Sequence, residues 1–162
     1  MNSEELNIEF INVKDAAYRY AASLLHDPSE AEDMVQDLYE KLWRRRLLFR
    51  RAGFRSLVMT SVRNMCLDSL RRRQHDRHTE IEECHISFEM AEGDNLTELV
   101  RHIIERLPDR EREVIHLHDV EGMDYEDIAE VMGTNTAAAR MACSRARQKV
   151  KEQLIKIMNY GA

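Results

Sequence analysis

The sequence predicts an all-α protein made of two small helical units joined by an acidic linker. Three observations carry this. Only 5 Gly and 2 Pro occur among 162 residues, of which 33% are charged, a composition that favours helices with short connections over a β architecture. Apolar residues recur at spacings of three and four through most of the chain. One stretch, residues 75–95, lacks that pattern. A chain of this length fits one domain or two small ones, each with a modest core. We place the units at residues 1–74 and 96–162.

The first helix is expected over residues 10–25, where Phe10, Val13, Ala17, Tyr20, Ala21, Leu24 and Leu25 form a wide apolar stripe with Tyr18 and Arg19 outside it. Asp27-Pro28-Ser29-Glu30 then reads as a helix start: an Asp cap, Pro at the first helical position and Glu at the third for a capping box. The second helix should reach about Arg46 with Ala31, Val35, Leu38, Leu42 and Trp43 turned inward. Residues 47–53 break the pattern as a loop. A third helix over residues 54–73 would bury Leu57, Val58, Val62, Met65 and Leu70, leaving Ser56, Thr60, Arg63, Asn64 and Arg71 outside.

The formal net charge of −6 is concentrated in the linker, where seven acidic residues face one Arg between 75 and 95. The flanking segments are nearly balanced and carry basic runs at 44–46, 50–51, 71–73 and 140–151. A local basic face, not net charge, steers a protein to nucleic acid, so an acidic chain is no objection to DNA binding. A linker of this composition predicts two units that move independently. Its His75, His78, Cys84 and His85 show no finger-type pairing, and no metal site is expected there.

The second unit should contain four helices, beginning with residues 96–107 and 109–121. Residues 125–147, YEDIAEVMGTNTAAARMACSRAR, then read as a helix-turn-helix. Asp124 caps a short helix ending at Met132, whose Ile128 and Ala129 face inward, and Gly133 follows where a positive φ is needed. Asn135 caps the last helix. Its inward stripe is Ala139, Cys143, Ala146, Val150, Leu154 and Ile157. Its outer face carries Arg140, Met141, Ser144, Arg145 and Gln148, side chains suited to phosphates and base edges in a major groove.

Other classes are disfavoured. No apolar run approaches the roughly 20 residues of a membrane span, and the acidic N-terminus does not read as a signal peptide. Three widely spaced cysteines suit reduced thiols in the cytoplasm. No Gly-rich phosphate loop, nucleophile elbow or ligand cluster points to an enzyme, a cofactor, a metal or a small-molecule substrate.

Three segments in series resemble bacterial extracytoplasmic-function (group 4) sigma factors of the sigma-70 family. SEAEDMVQDLYEKLW at 29–43 is similar to their polymerase-binding helix. FRSLVMTSVRNMCLDSLRRR at 54–73 is similar to their −10-element helix. RLPDREREVIHLHDVEGMDYEDIAEVMG at 106–133, with the triplet Arg145-Ala146-Arg147, is similar to their region 4. The resemblance implies a three-helix region 2, a four-helix region 4 and, as partners, core RNA polymerase, promoter DNA and an anti-sigma factor.

The resemblance also assigns residues. Glu32, Asp33, Gln36 and Asp37 would dock on a basic segment of the large polymerase subunit. Phe49, Arg50 and Arg51 would hold a displaced −10 base and its backbone. Arg63 and Asn64 would contact upstream −10 bases and phosphates, and Arg71 would either bind phosphate or balance the helix dipole. Arg140, Met141, Ser144 and Arg145 fall on the −35-reading positions. Many relatives have Thr and a β-branched residue where this chain has Ala138 and Ala139, and Arg at Ala142; Asn135 or Thr136 would supply the missing phosphate contact. The acidic linker would act either as a tether or as an RNA mimic in the polymerase. The alternative from another class is a stand-alone helix-turn-helix regulator whose first three helices dimerise.

Overall fold

In the computed structural model, which describes residues 1–76 and 95–160, every regular element is helical. Three helices form the N-terminal bundle: α1 (Ser3–Leu25), α2 (Pro28–Arg44) and α3 (Phe54–Asp76). The C-terminal bundle contains α4 (Asn95–Glu105), α5 (Asp109–Ile115), α6 (Tyr125–Met132) and α7 (Thr136–Tyr160). Helix α3 runs to Asp76 and α4 begins at Asn95, each just inside the predicted linker. Most of the predicted linker, with His78, Cys84 and His85 and the RNA-mimic reading, lies outside the described residues.

Helix α1 starts seven residues earlier than its stripe suggested. Asn2 and Glu5 form a reciprocal capping box, and Leu6 extends the buried face. The helix ends at His26, whose φ of 54° is left-handed. Asp27 caps α2 through the N–H groups of Ser29 and Glu30. The expected capping box does not close there: Glu30 instead accepts from Ser69 Oγ at 2.7 Å and pairs with Arg73. A helix-start acid is thus spent on tying α2 to α3.

The 3₁₀ turn Arg46–Leu48 follows α2, and the loop closes at Gly53, where φ is 75°. The α-amino group of Met1 donates to the carbonyls of Arg46 and Phe49, both at 2.9 Å.

Helix α3 departs most from expectation. Val58 and Val62 are buried as predicted, but so are Ser56, Met59 and Cys66, while Leu57, Met65 and Leu70 are half-buried. Ser56 therefore does not lie outside. The cause is tertiary: α3 packs on α1 and α2 with one side and on α6 with another, so no single stripe describes it. Burial raises the Cys66 thiol to about 12, with a smaller push from the Glu113 carboxylate.

In the C-terminal bundle, α5 stops at Ile115 and the chain widens into a π turn, His116–Val120. Asp124 caps α6 by accepting from Asp127 N–H, and Gly133 takes φ 64°, both as the sequence requires. Asn135 Oδ1 accepts from Ala138 N–H at 2.8 Å and opens α7. Ala139, Cys143 and Ala146 are fully buried, Val150 and Leu154 half-buried, and Ile157 has already emerged. The stripe fades because α7 outruns the helices beneath it.

The two bundles do not stand apart. Their buried residues form one continuous cluster in which Val114, Leu117, Met123, Ile128 and Val131 join Tyr20, Val58, Met59 and Val62. Each such aliphatic side chain, fully buried, contributes about 1.5–3 kcal/mol. Independent movement of the units is therefore not what this structure shows.

Candidate nucleic-acid interface

The acidic set on α2 shares one exposed face. Glu32, Asp33, Gln36 and Asp37 are all exposed, because their positions oppose the buried Ala31, Leu38 and Leu42. Glu32 and Gln36 border a shallow groove of about 530 Å³ shared with Phe10, Lys14, Asp15, Tyr18, Val35 and Tyr39. The face therefore offers carboxylates beside an apolar floor.

The predicted −10 set divides into two groups. Phe49 and Asn64 come together in a cleft of about 550 Å³ whose other walls include Leu42, Leu57, Ser61 and Met65. Lys41, Arg44 and Arg45 complete its rim. Those three were not singled out from sequence, although the basic run at 44–46 was the available signal. Arg46 turns over the Trp43 ring at 4.9 Å instead. Leu47 and Leu48 project to solvent, 79% and 77% exposed.

The remaining members are scattered. Arg50 is exposed, Arg51 pairs with Glu9, and Arg71 lies 3.4 Å from Asp68 of its own helix. Arg63 points away from the cleft. Its Nε donates to Glu113 Oε1 at 2.8 Å and an Nη to Oε2 at 3.3 Å. Adjacent residues on a helix point about 100° apart, which sends Asn64 to the cleft and Arg63 to the contact between bundles.

Glu113 also accepts from Tyr20 OH at 2.7 Å. Burial, the Glu113 charge and that hydrogen bond together hold the Tyr20 phenol far above its ordinary pKa. A second acid, Glu121, accepts from Arg19 at 2.7 and 2.8 Å and lies 3.4 Å from His116 Nε2. Burial alone would raise the Glu121 carboxyl, but the Arg19 and His116 contacts outweigh it and hold it at about 2. Neither acid was among the sequence candidates. An acidic residue on an amphipathic helix gives no local sign that it will be buried.

On α7 the −35 set behaves as expected of an outward face. Arg140, Met141, Ser144 and Arg145 are exposed, Met141 by 56%. The Arg140 guanidinium lies over the Tyr125 ring, 5.6 Å from its centroid, which ties the base of the side chain's reach to α6. Asn135 is exposed and gives only its oxygen to the helix cap, so its amide nitrogen keeps its donors for a phosphate, while Thr136 beside it is half-buried. Ala142 is buried and faces the core.

Arg147 has a different task from its basic neighbours. It pairs with Asp119 and reaches His118 Nδ1 at 3.1 Å, bracing α7 against the π turn. His118 in turn stacks on Tyr125 at 4.4 Å. The Arg147 hydrogen bond, against the opposing effect of burial, lowers the Asp119 pKa. His118, Asp119 and Cys143 bring ligand atoms within 4.8 Å of one another, but the guanidinium already occupies the cation position beside Asp119.

Comparison with known proteins agrees with this layout. Residues 11–76 match the family model "Sigma-70 region 2" and residues 97–150 match "Sigma-70, region 4". The chain is 30% identical over 142 residues to the RNA polymerase sigma factor CarQ of Myxococcus xanthus, covering 83% of this chain and 80% of that protein. It is 26% identical to the ECF RNA polymerase sigma factor SigE of Mycolicibacterium smegmatis, covering 88% of this chain but only 58% of the relative's length. Among solved structures, the sigma factor RpoE of Bartonella quintana, in complex with the anti-sigma factor NepR, superposes with a TM-score of 0.74 at 27% identity, over 91% of this chain and 95% of that one. CnrH, in complex with the cytosolic domain of CnrY, shares the fold at a TM-score of 0.70 and 23% identity, over 96% of this chain and 90% of that one. The chain belongs to the extracytoplasmic-function group of the sigma-70 family of RNA polymerase sigma factors.

Proposed function

We propose that the protein binds core RNA polymerase and directs it to promoters through a −10 and a −35 element, without catalysis of its own. The observation that carries this is the cleft holding Phe49 and Asn64 under a rim of Lys41, Arg44 and Arg45. Extracting a base from a duplex costs a few kcal/mol of stacking, and a shaped pocket with an aromatic wall and cationic rim can return it on the displaced strand. A stand-alone helix-turn-helix regulator has no use for such a pocket beside its dimerising helices.

Within this reading, residues 1–74 form the polymerase- and −10-binding unit and residues 96–162 the −35-binding unit. The exposed acids Glu32, Asp33 and Asp37, with Gln36, meet a basic partner surface, where complementary charge sets orientation and encounter rate. Phe49, Asn64, Arg50, Arg51, Arg63 and Arg71 serve the −10 strand. Arg140, Met141, Ser144, Arg145, Asn135 and Thr136 serve the −35 major groove and its phosphates. No helix among the described residues is long and apolar enough to cross a membrane, which suits work in the cytoplasm. The kinship with a sigma factor solved in complex with an anti-sigma factor supports a protein inhibitor as a further partner.

The test is transcription by purified core polymerase, with and without the protein, on promoters from the same genome. Promoter-specific transcripts that need the protein support the assignment. Sequence-specific DNA binding by a dimer that has no affinity for core polymerase would support the stand-alone regulator instead.

A further inference from the structure

Among the described residues, Leu47 and Leu48 are the most exposed of the large apolar side chains, at 79% and 77%. They do not dangle. Both belong to the 3₁₀ turn Arg46–Leu48, where Leu48 N–H donates to the Arg45 carbonyl at 2.9 Å and Phe49 N–H to the Arg46 carbonyl at 3.3 Å. Arg46 lies over the Trp43 ring and donates to the Trp43 carbonyl at 3.0 Å. The Met1 amine bonds the carbonyls of Arg46 and Phe49 as well. Two adjacent leucines are thus held in water by a braced turn that contributes nothing to their burial, which marks a contact surface.

Their surroundings define the partner. Arg44, Arg45 and Arg50 flank the leucines and are exposed, and the Arg51 side chain, though paired with Glu9, is 71% exposed. The partner is therefore a polyanion that also offers apolar surface. Phe49 follows directly and turns into the cleft with Asn64. Consecutive Cα atoms lie about 3.8 Å apart, close to the roughly 3.4 Å between successive nucleotides of one strand. A base lodged beside Phe49 thus leaves its gap in the stack within reach of Leu47 and Leu48. An anionic lipid surface has the same two chemistries, but two leucines offer it little buried area, and a base-sized cleft has no use there.

We propose that Leu47 and Leu48 form an apolar wedge that enters the promoter stack beside the displaced −10 base and covers the face of the base pair left behind. This rests on the reading of the Phe49–Asn64 cleft as the −10 base pocket. The two parts divide the work: the cleft holds the base that has left, and the leucines occupy the place it vacates. Unstacking a step exposes an apolar base face to water, and a branched aliphatic side chain restores its cover without needing a hydrogen-bond partner. The flanking guanidinium groups hold the phosphates on either side, so the wedge is pressed against the duplex by charge it does not itself carry.

The experiment uses holoenzyme assembled from core polymerase and the full chain, on a fully paired promoter and on the same promoter premelted by mismatches across the −10 element. Fluorescence of 2-aminopurine in the displaced strand reads opening. Leu47→Ser/Leu48→Ser is expected to lower opening of the paired promoter at least about tenfold, the scale of one leucine side chain left uncovered, and to transcribe the premelted promoter nearly as the parent does. Leu47→Met/Leu48→Met, which keeps the apolar bulk, should open the paired promoter normally. Phe49→Ala/Asn64→Ala should fail on both templates, because the base is then not held. Parental opening by the serine variant would overturn the wedge, and a defect of the Phe49/Asn64 variant would still leave the pocket standing. A parent that yields no promoter-specific transcript overturns both. Equal loss on the two templates, or weaker binding to core polymerase, would place the leucines on a protein contact instead. Loss of binding to vesicles of anionic phospholipid, with opening unchanged, would place them on a membrane; each of these results also overturns the wedge.

Discussion

Tyr20 and Glu113 lie 93 residues apart in sequence and share a buried 2.7 Å hydrogen bond across the contact between the two bundles. The Tyr20 ring also stacks on His116 at 5.9 Å, so one side chain meets Glu113 through its hydroxyl and His116 through its face. Removing only the hydroxyl, by Tyr20→Phe, leaves Glu113 with Arg63 as its remaining partner. Hydrogen bonds to charged groups contribute about 1.5–3 kcal/mol, and a loss in that range is expected in urea unfolding. A loss below about 0.5 kcal/mol, the scale of an ordinary surface change, would mean that water replaces the hydroxyl freely.

The Glu121 carboxyl, held at about 2 in the fold against an ordinary 4.5, makes stability depend on acidity. A depressed value means that the charged form is favoured by folding. Its contribution is complete above the unfolded value and disappears as pH falls toward the folded one. The stability advantage of the parent over Glu121→Gln should therefore be largest near neutrality and shrink below about pH 4.5. Chemical unfolding of both proteins across that range checks it; a difference that grows on acidification would contradict the assignment.

Asp33→Ala combined with Gln36→Ala should weaken binding to core polymerase while helicity and melting temperature stay nearly constant. Both side chains are exposed on α2, and exposed substitutions usually change stability by less than about 0.5 kcal/mol. Parallel losses of binding and stability would make the face structural.

Phe49→Ala with Asn64→Ala empties one wall of the cleft beside α3. We expect promoter melting, followed by permanganate reactivity of the opened strand, to fall at least about fivefold, the scale of one base–aromatic stacking contact of 1–3 kcal/mol. Affinity for an isolated −35 duplex should not change. Equal loss on both would trace the effect to misfolding of the loop.

Arg140→Ala should cost about 1–3 kcal/mol of discrimination at one −35 position if the side chain makes a bidentate base contact. Competition among single-base promoter variants measures this. A uniform loss with a shallower salt dependence would assign Arg140 to phosphate.

The sequence by itself determined what depends on near neighbours in the chain. Asp124, Gly133 and Asn135 act within four residues of themselves, so the helix-turn-helix was legible to the residue. The exposed acidic face of α2 followed from the spacing of Ala31, Leu38 and Leu42, and the outward face of α7 from Ala139, Cys143 and Ala146. Tertiary structure decided the rest. Ser56, Met59 and Cys66 are buried because α6 covers a second side of α3, which no single periodicity records. Glu30 abandons its cap for Ser69 and Arg73, and Arg63 turns from the cleft to Glu113, fifty positions away. A local pattern reports which side of a helix avoids water. Which charged groups meet across a fold depends on how whole helices dock, and that is set by surfaces far apart in the chain.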